Sequence, residues 1–77
     1  MTSSEFNLLV ETTLTQIEQA IEASGADIDF ETTAGILELE FDNGSKIIVN
    51  RQSASQELWV AAKSGGYHYI WKNGAWI

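Results

Sequence analysis

The 77 residues contain no cysteine, no proline, one histidine and four basic side chains. Each shortage excludes something. Without cysteine there is no disulfide, no thiolate metal site and no Cys–His nucleophilic pair. A lone His68 makes neither a catalytic triad nor a histidine metal cluster. No apolar run approaches the roughly 20 residues a membrane-spanning helix needs. The opening "MTSSEFNLLVE" has no basic segment ahead of its apolar residues, so no secretory signal is expected. The expectation is one small intracellular domain, cytoplasmic and bacterial. Its thin core would supply no more than about 3–5 kcal/mol without staples. The four cations (Lys46, Arg51, Lys63 and Lys72) are dispersed and give no basic footprint for nucleic acid.

What the chain has is negative charge, and it is unevenly placed. Net charge is −7. Every basic residue follows residue 45, while ten of the eleven acids precede it. The stretch "IEQAIEASGADIDFE", Ile17 to Glu31, holds five carboxylates and no cation. Metal ions, other cations or basic protein surfaces are the natural partners of such a segment.

Phe6, Val10, Leu14, Ile17 and Ile21 recur at helical spacing and predict an amphipathic helix. Ser3 or Ser4 would cap it, and Ser24-Gly25 would stop it. Glu11, Glu18 and Glu22 fall on a different stripe. The remainder alternates as strands. In "DIDFET", Ile28 and Phe30 oppose Asp27, Asp29 and Glu31. In "GILELEF", Leu37, Leu39 and Phe41 oppose Glu38 and Glu40. "KIIVNR", "ELWVAA", "YHYIW" and "AWI" follow. Asn43-Gly44 and Asn73-Gly74 read as two-residue hairpins with both residues at positive φ. Ser64-Gly65-Gly66 reads as a turn. The fold class is α+β: a two-layer sandwich of one N-terminal helix on an antiparallel meander of five to six strands.

At this point several segments become recognisable. "SEF" at 4–6, "NGSKIIVNRQ" at 43–52, "LWVAAKSGGYHY" at 58–69 and "WKNGAWI" at 71–77 resemble the frataxin family, in particular its bacterial members. The resemblance runs the length of the chain. It implies an α-β sandwich and a role in iron–sulfur cluster assembly, with weak iron binding and regulation of a cysteine desulfurase complex. It implies that an acidic ridge, here Glu11, Glu18, Glu22, Asp27, Asp29 and Glu31, binds iron or another cation and docks on the desulfurase. It implies a second contact surface for the desulfurase or the cluster scaffold around Asn50, Gln52 and Trp59. Gln19 and Ala23 stand where relatives often carry acids, and Glu57 stands where a glutamine is often found. The family also continues past "WI" into the end of the sheet and a second helix. Their absence from residues 1–77 makes association between chains an expectation.

The residues also support plainer readings. A charge run is usually a solvated face, yet Glu18 and Glu22 at i,i+4 repel where such faces normally mix signs. If Leu58 and Val60 meet the core, alternation puts Trp59 on the open face, where an aromatic can anchor a partner. His68 reads as a surface residue, and Glu38 and Glu40 as solubilising. Trp71 and Trp76 read as a cross-strand structural pair. The Ser-Gly-Gly turn is too short for a phosphate loop. The protein is expected to act by binding, not as an enzyme. The alternatives are a ferroxidase or iron-storage assembly, for which inward-facing Glu and His ligands are lacking, and a folding fragment without full activity.

Overall fold

A computed structural model describes all 77 residues. Helix α1 runs from Ser3 to Ser24. Thr2, not Ser3 or Ser4, is its cap. The reason is reciprocal: the Thr2 hydroxyl accepts from the Glu5 amide at 3.1 Å, and the Thr2 amide donates to the Glu5 carboxylate at 2.8 Å. Two unpaired amides of the first turn are thereby satisfied together. The bond from the Thr2 backbone holds the Glu5 carboxyl below its ordinary pKa. At the other end Gly25 turns left-handed, at φ 68°, and its N–H closes on the Glu22 carbonyl. Glycine reaches that conformation without a Cβ clash.

Six strands follow: β1 (Ile28–Thr33), β2 (Ile36–Phe41), β3 (Lys46–Gln52), β4 (Glu57–Ala62), β5 (Gly65–Lys72) and β6 (Ala75–Trp76). They form one antiparallel sheet in sequence order.

The turns match expectation at one site and depart from it at three. Asn73 and Gly74 both take positive φ, 53° and 79°. At the other Asn-Gly only Gly44 does, at 83°. There the Asn43 side chain accepts from the Ser45 amide and hydroxyl. Four residues separate the strands, and the Gly44 N–H closes a turn on the Phe41 carbonyl. The turn expected at Ser64-Gly65-Gly66 is centred one residue earlier, on Lys63 and Ser64. Both glycines instead pair in β5, opposite Ala62 and Ala61. A third turn carries no asparagine: Ala34 and Gly35, at φ 50° and 78°, join β1 to β2. Gly35 is therefore a turn residue and not the start of a strand.

Antiparallel pairing puts opposed residues on the same face, so the register divides the sheet. Ile28, Phe30, Leu37, Leu39, Phe41, Ile47, Val49, Leu58, Val60, Tyr67, Tyr69, Trp71 and Trp76 lie on the helix side. The core is Phe6, Val10 and Leu14 of the helix against Leu37, Leu39, Val49 and Leu58 of the sheet. Burying each such side chain fully contributes about 1.5–3 kcal/mol. Ile17 and Ile21 continue the helical stripe at the core's margin. Trp76 closes the far end. Its ring meets Phe6 edge-on at 6.4 Å, and its indole N–H donates to the Thr13 hydroxyl at 3.2 Å. Trp71 and Trp76 are opposed as expected, T-shaped at 5.3 Å.

One helix does not cover six strands. On its own side of the sheet, Val60 and Trp71 are only half-buried and Tyr67 is 47% exposed.

Candidate functional site

Two surfaces carry the residues singled out in the sequence. The first is acidic and lies on both sides of the edge strand β1. Glu11 and Glu22 are exposed on α1. Glu18 turns toward the sheet and accepts a 2.5 Å hydrogen bond from the Thr32 hydroxyl. Glu11, Glu18 and Arg51 line one shallow groove between helix and sheet, with Thr15, Thr32 and Gly35. A Cβ on Gly35 would sit 2.9 Å from the Arg51 guanidinium, a flexible group free to shift, so it is the positive φ of the turn that calls for glycine at this position. Asp27 is exposed in the loop after the helix.

Asp29 and Glu31 follow strand alternation onto the opposite, open face of the sheet. There Asp29 is opposed to Glu40 and Glu31 to Glu38. The four carboxylates line a second shallow depression. Lys46 partly neutralises it, 2.9 Å from Glu38 and 3.6 Å from Glu40, and both acids raise the lysine's pKa. The strand acids thus share their face with Glu38 and Glu40, while Glu18 shares the helix side with Thr32. No three acidic or histidine side chains converge on a point that could hold a metal ion. What the acids offer is exposed oxygen, suited to a hard cation that keeps much of its own water shell.

The second surface is the middle of the open face. Ile36, Asn50, Trp59 and His68 run across four strands in one row, each opposed to the next. Trp59 is 46% exposed, and Leu58 beside it is buried, so the register is the one that alternation favoured. Next to that row run Ile48, Ala61 and Gly66. Alanine and glycine leave a dent where larger side chains would level the surface. The resulting cleft of about 270 Å³ is lined by Ile48, Asn50, Trp59, Ala61, Gly66 and His68, among others. Gln52 sits one row away, opposed to Glu57.

Glu57 organises this face. Its Oε1 accepts from the Trp59 indole N–H at 3.0 Å and from the Ser55 hydroxyl at 2.9 Å. Its Oε2 lies 3.1 Å from His68 Nδ1. The Trp59 bond first, and then the Ser55 bond, hold the Glu57 carboxyl below its ordinary pKa, and His68 adds to the effect. Trp59 and His68 stand with ring centroids 6.4 Å apart at 54°. The sequence alone puts Trp59 on the open face but shows His68 only as a surface residue and Glu57 without a role. The available signal was parity: Glu57 and Trp59 are two apart on one strand, hence on one face. Which residue of β5 stands opposite Trp59 follows from the turn at Lys63-Ser64, which the sequence reading misplaced.

No helix is long and apolar enough to cross a membrane. A family model for the frataxin-like domain matches residues 1–77. The iron–sulfur cluster assembly protein CyaY of Vibrio vulnificus is 54% identical over 77 residues, which is all of this chain and 74% of the relative. The CyaY of Dechloromonas aromatica is 52% identical, over 99% of this chain and 73% of the relative. A solved frataxin from Psychromonas ingrahamii superposes with a TM-score of 0.95 at 43% identity, covering this whole chain and 73% of that one. One helix on a six-stranded meander, an open face bearing Trp59, and likeness from the first residue to the last all lead to the same place: the chain belongs to the frataxin-like family.

Proposed function

We propose that this chain is an accessory protein of iron–sulfur cluster assembly, cytoplasmic, and that it acts by binding and regulation and not by catalysis. Its relatives bear the name of that process at more than half identity over the full chain. Glu11, Glu18, Glu22, Asp27, Asp29 and Glu31 bind ferrous or ferric iron weakly, as cargo, and dock on a basic surface of the cysteine desulfurase. The carboxamide and aromatic face of Asn50, Gln52 and Trp59 meets the desulfurase or the cluster scaffold. One observation supports docking above the others: Trp59, a residue type that carries binding energy at interfaces, is held out on the open face and not folded into the core.

Glu18→Lys combined with Glu22→Lys reverses two charges on the helix. The double variant should weaken desulfurase binding at least tenfold at low salt, chiefly through slower association, with the gap narrowing as salt rises. Iron-induced amide shifts around Ala23–Glu31 should shrink in parallel. Binding isotherms and iron titrations superimposable on those of the parent chain would remove the acids from the site.

The half-bare apolar strip of Val60, Tyr67 and Trp71 gives this chain a reason to associate. Light scattering should show the average mass rising with concentration. A constant monomer mass at high concentration would show that the strip is inert.

A further inference from the structure

We propose that Glu57 is a positioning residue of the open face: its carboxylate fixes the Trp59 indole and the His68 ring as the two walls of the cleft over Ala61 and Gly66. A partner protein then meets a preformed slot for an apolar side chain. This rests on the docking role given above to Trp59.

The geometry carries the assignment. The two oxygens of Glu57 are divided between the two rings, Oε1 to the indole N–H and Oε2 to the imidazole. The carboxylate is itself oriented by Ser55. Trp59 and His68 are directly opposed across β4 and β5, so holding both sets the opening between them. The floor, Ile48, Ala61 and Gly66, offers no charged group.

A second consequence lies in what the clamp removes. The indole has a single N–H donor. With that donor bonded to Glu57, the exposed ring presents only carbon and π surface. An aliphatic or thioether side chain entering the cleft therefore leaves no donor of Trp59 unsatisfied. A free indole would demand an acceptor from the partner, and a loose ring would lose side-chain entropy on being ordered at the interface.

The test compares Glu57→Ala, Glu57→Gln and Trp59→Ala in the full chain. Glutamine can still accept from the indole and donate to a neutral imidazole nitrogen, so it retains the clamp without the charge. Two readouts are taken: the Trp59 indole N–H resonance with its solvent exchange, and binding to the desulfurase–scaffold complex. Glu57→Ala should shift that resonance, speed its exchange at least tenfold and weaken binding about tenfold, with the thermal melt unchanged. Glu57→Gln should restore both readouts.

An unmoved indole signal in Glu57→Ala overturns the clamp, and the docking role still stands if Trp59→Ala loses binding. A moved signal with undiminished binding overturns the positioning role. Loss of binding in Glu57→Gln with the indole still held also overturns it, since Glu57 would then be a partner contact through its charge. Full binding by Trp59→Ala removes the docking role, and the proposal with it.

Discussion

Phe6→Ala should leave the chain largely unfolded at room temperature. The Phe6 side chain is fully buried, in the first turns of α1, and packs with Val10 and Leu14 against Leu37. Truncating a buried phenylalanine costs about 3–5 kcal/mol, part lost transfer energy and part cavity. That equals the whole stability expected of a core this small without disulfides. The substitution also removes the edge-on contact with Trp76, worth about a further 0.5–1.5 kcal/mol. Circular dichroism should show strand and helix signal lost together, and near-ultraviolet tryptophan signal lost with them. Phe6→Leu keeps most of the volume and should still fold, with a lower melting temperature. A Phe6→Ala chain that melts within a few degrees of the parent would mean that the core does not hinge on this helix.

Trp59→Ala should do the opposite: leave folding alone and remove binding. Trp59 is nearly half exposed, outside the buried cluster, and bonded only to Glu57 and not to the core. Its loss should therefore move the melt little. At an interface, a central tryptophan typically contributes 2 kcal/mol or more, so affinity for the desulfurase–scaffold complex should fall at least about 30-fold. Calorimetric titration of that complex with parent and variant measures it directly. Parent-like affinity would place the contact surface elsewhere. Taken together, the two variants separate the faces of the sheet: one truncation destroys the fold, the other only its use.

The fold was legible where local chemistry decides structure. The stripe from Phe6 to Ile21 and the alternation in β2 needed only periodicity, because each residue's neighbours along the chain determine its face. The turns were less legible. Asn43-Gly44 and Asn73-Gly74 are the same dipeptide, yet only the second takes two positive φ angles, because it alone forms a two-residue loop whereas four residues join β2 to β3. Ala34-Gly35 makes the tight turn that asparagine would have advertised. Shifting the Ser-Gly-Gly turn by one residue decides which residue faces Trp59, so His68 could not be placed without the register.

The acids divide in the same way. Alternation correctly took Asp29 and Glu31 away from the core. Only the pairing of β1 with β2 revealed that they stand beside Glu38 and Glu40, across the edge strand from Glu18. Two patches with one strand between them can touch two partners, or two parts of one partner.

Because order in space follows order along the chain, every strand finds its mate in the segment made just before or just after it. Such nearest-neighbour pairing closes short loops, which is the fast way to build a sheet. A nascent chain can zip hairpin by hairpin as it is made. The helix is different. Formed first, it gains its bonds to Trp76 through Phe6 and Thr13 only when residue 76 has been added. The edge-on ring and the 3.2 Å indole bond therefore work as a latch that ties the helix to a strand 63 residues further along the chain, a long-range contact added to a sheet built of local pairings.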